Sequence, residues 1–161
     1  MTATLSATSR RYVLWATLGS AALVGGALIF QALGYPPCKL CHWQRWPHYA
    51  ALIIGALTLW SGRRWLLPVG LVLMLVTAGL GFYHTGVEEK LWLGPTTCTS
   101  TPIAGLTSDE LLAQIQGAPL IRCDEVAWSL FGLSMATYNG IFSMTLAGLW
   151  LGTWRRERLS D

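Results

Sequence analysis

The side chains best placed for chemistry are two cysteines, Cys38 and Cys41, directly after a Pro-Pro pair. Cysteines three positions apart can close a small disulfide or present a reactive thiolate pair. Arg45 follows Cys41 by four residues, so on a helix its guanidinium shares a face with that sulfur. At about 6 Å and an effective dielectric constant of about 20, the pair gains about 3 kcal/mol, which favours Cys41 as a thiolate.

The cysteine spacing alone leaves other roles open. Cys38 and Cys41 could form half of a zinc site, but zinc usually needs a second close Cys or His pair, whereas Cys98 and Cys123 are isolated. The pair could also be a plain structural disulfide. A bond between Cys98 and Cys123 would close a loop of about 25 residues and contribute up to about 3 kcal/mol if it were merely structural.

The composition places this chemistry in a membrane. The chain has 161 residues, of which 53% are hydrophobic and 12% are charged. In soluble domains about a quarter of all residues are charged. No Asp, Glu, Lys or Arg occurs between Arg11 and Lys39, Arg45 and Arg63, Arg64 and Glu88, or Glu125 and Arg155. About 20 apolar residues cross the hydrocarbon of a bilayer, so these windows predict four membrane-spanning helices. A buried helical core of a soluble protein would carry polar faces that the windows lack.

We therefore predict an all-α integral membrane protein, a single four-helix bundle over residues 1–161. The predicted spans are about 12–33, 41–61, 65–86 and 128–154, with outer loops at about 34–40 and 87–127. The second span must extend back to Cys41, because Pro47 to Ser61 alone would cover only about 22 Å. This extension places Arg45 at the membrane edge, where snorkelling of its side chain is the alternative to a functional role. We expect residues 1–9 to be disordered.

The basic residues orient the bundle. Seven of the eleven lie before the first span, between the second and third, or after the fourth. The positive-inside rule makes that side cytoplasmic, so both termini are predicted in the cytoplasm and all four cysteines on the oxidising face. A net charge of +3 requires no nucleic-acid partner.

Polar residues near the outer edge complete the candidate site. His84 lies at the outer end of the third span, at the predicted depth of Cys41 and Arg45, and Glu88 follows four residues later. A ligand pocket at that depth is one interpretation, and hydrogen bonding of His84 to headgroups or backbone is the other. Asn139, near the middle of the fourth span, is predicted to link helices.

The second outer loop carries one predicted element of its own. The capping box at residues 107–110 predicts a short amphipathic helix that ends at Gln116. Because this helix is too short to span a bilayer, we expect it to lie on the membrane surface.

The ordered set of features resembles the disulfide bond formation protein B (DsbB) family: four spans, a Cys-x-x-Cys in the first outer loop with an arginine four residues later, and two cysteines in the second. Residues 38–47 resemble the family's redox motif, and residues 83–88 and 123–134 are similar to the borders of its second loop. Quinone enzymes of the vitamin K epoxide reductase type carry these cysteines in the reverse order.

The resemblance implies a protein of the bacterial inner membrane that reoxidises a periplasmic DsbA-like protein, a dithiol oxidase of thioredoxin fold. The electrons would pass to ubiquinone or menaquinone. The catalytic residues implied are Cys38, Cys41, Cys98 and Cys123, the quinone-binding residues are Arg45, His84 and Glu88, and no metal is expected. In the implied sequence, the partner attacks Cys98, the freed Cys123 attacks Cys38, and Cys41 leaves beside the quinone.

Two rival functions use the same cysteines. A membrane thiol reductase would carry electrons outward, and the redox state of Cys98 and Cys123 in cells would distinguish it. A non-enzymatic membrane protein with two structural disulfides is the other rival, although so short a loop between Cys38 and Cys41 stabilises little.

Overall fold

Four long helices dominate the part of the chain that this computed structural model describes, residues 5–95, 107–109, 112, 116 and 121–159. They are α1 (Ala7–Ala32), α2 (Lys39–Ser61), α3 (Leu66–Glu88) and α4 (Met135–Leu159). The most extensive packing is between α3 and α4, and α2 contacts α1 and α3 while α1 also contacts α4. The helices therefore form a closed bundle, and the predicted helical class is confirmed.

The ends of α1 and α2 explain where the first cysteine lies. After α1, Gly34 adopts a φ of 95°, a conformation that favours glycine, and the following Pro36 and Pro37 cannot continue a helix. Cys38 is then the N-cap of α2, and its sulfur accepts a hydrogen bond from the backbone N–H of Cys41. The Cys-x-x-Cys pair thus begins the second helix itself.

The bundle presents apolar surface outward. Trp15, Ile29 and Ile53 are 63%, 61% and 63% exposed. Among the described residues, α1 and α3 are long and apolar enough to cross a membrane. An apolar surface of this kind suits lipid better than water.

Small residues let α3 and α4 approach closely. A Cβ atom on Gly81 would lie 2.8 Å from the backbone nitrogen of Gly140, so Gly81 has no room for a larger side chain. The close approach brings Thr77 of α3 within hydrogen-bonding distance of Asn139 of α4, 3.2 Å from Oγ1 to Nδ2. The buried apolar core lies deeper in the bundle and includes Val13, Ala16, Leu67, Met74, Ala147 and Trp150.

The fourth helix begins at Met135 rather than near residue 128, where the fourth span was predicted to start. Two short antiparallel strands precede it, β1 (Ser129–Leu130) and β2 (Leu133–Ser134), with Leu130 paired to Leu133. Phe131 and Gly132 both have positive φ, 50° and 78°, as two-residue hairpin turns require. The apolar run concealed this hairpin because hydropathy does not distinguish helix from strand over a few residues.

The amino-terminal segment is also more ordered than expected. Ser6 caps α1, and the hydroxyl groups of Ser6 and Ser9 donate hydrogen bonds to the carboxylate of Glu157 in α4. Arg64 forms an ion pair with the same carboxylate at 3.0 Å. A buried acceptor from a distant helix therefore orders residues 5–9, which no local pattern could indicate.

The predicted short helix of the second loop is described in part. Ser108, Asp109, Leu112 and Gln116 are helical and exposed. Its other residues, with Glu110 of the capping box, lie outside the described residues.

Candidate active site

The thiols of Cys38 and Cys41 are free and lie 3.0 Å apart. Cys38 is buried, and it donates a hydrogen bond to the sulfur of Cys41. This hydrogen bond, and then burial, raise the pKa of the Cys38 thiol above its ordinary value. Cys38 therefore holds its proton, while Cys41 is the acceptor of the pair. A disulfide has a sulfur–sulfur distance of about 2.05 Å, so small side-chain movements suffice to join the two.

His84 of α3 faces the sulfur of Cys38. Its Nε2 lies 3.6 Å from that sulfur and 3.2 Å from the backbone oxygen of Cys123. On the other side of the ring, the amide nitrogen of Gln44 lies 2.8 Å from Nδ1. An amide nitrogen can only donate, so Nδ1 accepts and the ring carries its proton on Nε2. His84 consequently directs an N–H toward the backbone oxygen of Cys123 and the sulfur of Cys38.

Cys123 is fully buried and disulfide-bonded. Its sulfur, the sulfur of Cys38 and a ring nitrogen of His84 all lie within 4.8 Å of one another. Three such atoms could in principle ligate a metal, but a sulfur in a disulfide is not the thiolate that zinc binds. The arrangement therefore fits exchange between neighbouring sulfurs better than metal binding. The prediction for Cys98 lies outside the described residues.

Residues beside Cys123 hold it against the bundle end. Arg122 donates two hydrogen bonds to the carboxylate of Asp124, at 3.0 and 2.6 Å. These bonds lower the pKa of Asp124 below its usual range. Cys123 lies between the two partners of this bidentate pair, so the pair restricts the backbone on either side of its sulfur.

Glu88 lies on the same side of the site as His84. Its carboxylate accepts a hydrogen bond from Ser134 of β2 and lies 3.9 Å from Nε2 of His84. The hairpin is thereby joined to the outer end of α3. Neither His84 nor Glu88 lines the cavity described next. His84 lies beside the sulfur of Cys38, and Glu88 contacts His84 and Ser134.

A cavity of about 440 Å³ opens on the other side of Cys41. Helices α1, α2 and α4 and the segment around the hairpin enclose it, with apolar walls that include Phe30, Trp128 and Phe142. Cys41 and Arg45 also line it. The volume and the few polar groups in an apolar wall are typical of a site for a small apolar molecule with polar atoms.

Arg45 connects α2 to α1 at this cavity. Its guanidinium donates to the side-chain oxygen of Gln31 at 2.8 Å and to the backbone oxygen of Ala27 at 3.2 Å. The cation is therefore oriented by α1 and shares the cavity wall with Cys41. Of the quinone-binding residues implied by the resemblance, Arg45 is the one that the structure brings to the cavity.

Gln44 and His48 were not among the residues predicted for the site, yet both are buried and line the cavity. Asn139 joins them: its Nδ2 donates to the side-chain oxygen of Gln44 at 2.9 Å, and its Oδ1 lies 3.0 Å from Nε2 of His48. Asn139 thus links helices as predicted, but within the site. For His48 and Asn139, the signal available in the sequence was a polar side chain inside an uncharged apolar window. Gln44 stands between Lys39 and Arg45, outside those windows, and carried no such signal.

The comparisons with known proteins agree on one family. The family model described as "Disulfide bond formation protein DsbB" matches residues 9–153. The disulfide bond formation protein B of Albidiferax ferrireducens is 28% identical over 97% of this chain and 96% of its own length. That of Marinobacter nauticus is 28% identical over 74% of this chain and 75% of its own. An uncharacterized protein of Rickettsia prowazekii is 27% identical over 70% of this chain and 67% of its own length. No solved structure matches the chain.

Proposed function

The chain belongs to the DsbB family of disulfide bond formation proteins, and from this premise we propose that it carries electrons from a periplasmic dithiol to a membrane quinone. The electron donor is a DsbA-like protein of thioredoxin fold. The bundle spans the bacterial inner membrane four times, with both termini cytoplasmic and the cysteine-bearing ends periplasmic. The observation that carries the proposal is a continuous line of sulfurs: Cys123 lies within 4.8 Å of Cys38, which lies 3.0 Å from the cavity-lining Cys41.

The proposed exchange begins at the second loop. A thiolate of the partner attacks the sulfur of Cys98 in a Cys98–Cys123 disulfide, so that a mixed disulfide forms and Cys123 leaves as a thiolate. Cys123 then attacks Cys38 in the Cys38–Cys41 disulfide, and Cys41 leaves as a thiolate. Attack on Cys38 is supported by the burial of both sulfurs and by the N–H of His84, which restrains the backbone at Cys123.

The second half of the exchange completes the electron balance. The second thiol of the partner displaces Cys98, and Cys98 in turn displaces Cys38 from Cys123. The partner has then lost two electrons, the Cys98–Cys123 bond is restored, and Cys38 and Cys41 are thiols. A disulfide between Cys98 and Cys123 beside thiols at Cys38 and Cys41 is the product of this step.

The residues of the cavity fit a quinone. Aromatic and aliphatic walls suit its ring and isoprenoid tail, and Arg45 offers a cation where negative charge develops during reduction. A quinone bound there would accept the two electrons and two protons that Cys38 and Cys41 lose on forming their disulfide. Cys41 lines the cavity and Cys38 does not, so Cys41 is the sulfur that faces the acceptor.

The test uses the purified protein in detergent, a reduced thioredoxin-fold dithiol and a short-chain ubiquinone or menaquinone. We expect the quinone absorbance to fall in step with oxidation of the dithiol. The variant Cys41→Ser should abolish quinone reduction while the mixed disulfide at Cys98 can still be trapped. Normal quinone turnover in Cys41→Ser would refute the assignment, and net electron flow from quinol to the partner would favour a thiol reductase.

A further inference from the structure

His48 carries a buried atom that the protein leaves unpaired. The side chain is 2% exposed and lines the cavity, and within the described residues its Nδ1 has no hydrogen-bond partner. The opposite nitrogen, Nε2, has two hydrogen-bonding neighbours, Oδ1 of Asn139 at 3.0 Å and the hydroxyl of Ser143 at 3.2 Å. A buried polar atom without a partner is costly, and at the wall of a cavity it indicates a bound group.

The neighbouring hydrogen bonds determine which nitrogen of His48 carries the proton. Thr77 donates its hydroxyl proton to the backbone oxygen of Gln44, which leaves its oxygen free to accept from Asn139 Nδ2. Asn139 Nδ2 also donates to the side-chain oxygen of Gln44. The remaining amide atom of Asn139, Oδ1, is therefore an acceptor, and His48 donates to it from Nε2. A neutral His48 then presents a bare lone pair at Nδ1.

The side-chain amides of Asn139 and Gln44 connect His48 to His84, which lies beside the sulfur of Cys38. Gln44 accepts from Asn139 through its oxygen and donates to His84 through its nitrogen. Amide groups do not readily pass protons along such a series, but they do fix the orientation and tautomer of both imidazoles. His84 is held with an N–H toward the sulfur side, and His48, whose side chain lines the cavity, is held with an unpaired lone pair at Nδ1.

We propose that Nδ1 of His48 is a ligand-binding atom of the cavity that accepts a hydrogen bond from the hydroxyl of a reduced quinone. A quinone carbonyl can only accept hydrogen bonds, so it gains nothing from a lone pair, whereas a quinol hydroxyl donates. Arg45 lies one turn earlier on α2 and also lines the cavity. Its guanidinium has only donors, so it can donate a hydrogen bond to an oxygen of either the quinone or the quinol. The cavity therefore binds the reduced ring more tightly, which makes the bound acceptor more oxidising than the free one.

This inference rests on the proposed function, and binding measurements on the full chain separate the two. The dissociation constants of a short-chain ubiquinone and its quinol are measured in detergent, under anaerobic conditions for the quinol. In the wild type we expect the quinol to bind roughly fivefold to tenfold more tightly, the value of one hydrogen bond. His48→Phe should remove this preference by weakening quinol binding and leave quinone binding nearly unchanged.

A second variant keeps the test decisive if His48→Phe does not fold. The amide of His48→Gln offers both a donor and an acceptor, so it should bind the two forms alike. Tyr49→Phe is the control, because Tyr49 is an exposed residue of the same helix, lies outside residues 38–47 and does not line the cavity. It should keep the wild-type preference.

The outcomes are distinguishable. If the wild type binds neither form, the proposed quinone site fails and this inference fails with it. If the wild type reduces quinone but binds both forms equally, or if His48→Gln keeps the preference for quinol, the role of His48 alone is overturned.

Discussion

Nδ1 of His84 accepts a hydrogen bond from the side-chain nitrogen of Gln44 across a distance of 2.8 Å, between α3 and α2. This hydrogen bond determines the tautomer of His84, because it leaves the ring proton on Nε2. That nitrogen lies beside the sulfur of Cys38 and the backbone oxygen of Cys123. A histidine that was expected to contact quinone thus directs its N–H toward the sulfur of Cys38 and the backbone oxygen of Cys123.

The first prediction concerns His84→Phe. Removing the N–H should slow the attack of Cys123 on Cys38 by roughly fivefold, the value of one neutral hydrogen bond of about 1 kcal/mol. The KM for quinone should not change, because His84 does not line the cavity. Acid-quenched time courses with thiol alkylation would measure the exchange, and Tyr49→Phe, at an exposed position outside residues 38–47, is the control. A raised KM with normal exchange would instead assign His84 to the quinone.

The second prediction concerns Arg45→Gln. Loss of the cation at the cavity wall should raise the KM for quinone about tenfold or more, because a charge-assisted hydrogen bond contributes about 1.5 to 3 kcal/mol. Exchange between the partner and Cys98 should continue, as shown by trapping the mixed disulfide. Arg63→Gln is the matched control, an exposed arginine between α2 and α3. An unchanged KM would leave Arg45 with the role of anchoring α1 to α2.

The third prediction compares two glycines of α3. Gly81→Ala places a Cβ atom 2.8 Å from the backbone nitrogen of Gly140, so it should lower the free energy of unfolding by about 1 to 3 kcal/mol. Gly79→Ala meets nothing within 4 Å and should be neutral or stabilising by up to about 1 kcal/mol. Unfolding in mixed micelles with increasing sodium dodecyl sulfate would measure both. Equal effects would argue against the close crossing of α3 and α4.

The fourth prediction is a dependence on pH at Asp124. Arg122 lowers the pKa of this carboxyl, so the pair stabilises the fold above the unfolded pKa of about 3.9 and loses that contribution as the pH falls through the lower folded value. Asp124→Asn should therefore be less stable than the wild type at neutral pH, by at most about 1 kcal/mol for so accessible a pair. The difference should shrink as the pH falls below about 3.9 and vanish once Asp124 is protonated in the folded state as well. A difference that persisted there would point to a cause other than the charge.

Much of the fold could be read from local properties of the chain. Uncharged apolar windows indicated the long helices, because a helix that faces lipid must be apolar along its length. The length needed to cross a bilayer extended the second span back to Cys41, two residues after the observed start of α2 at Lys39. Two features were not predicted from the sequence. The hairpin before α4 depends on the backbone conformation of Phe131 and Gly132, and the ordered start of α1 depends on hydrogen bonds to Glu157.

The sequence by itself determined which atoms can react, since the spacing of Cys38, Cys41 and Arg45 on one helix follows from helical geometry alone. The tertiary structure decided which of these atoms meet. Gln44 and His48 come from α2, His84 from α3 and Asn139 from α4, and their hydrogen bonds form only when the helices cross. A side-chain amide can donate or accept, so its partners, separated from it by as many as 95 positions, determine the direction of each bond.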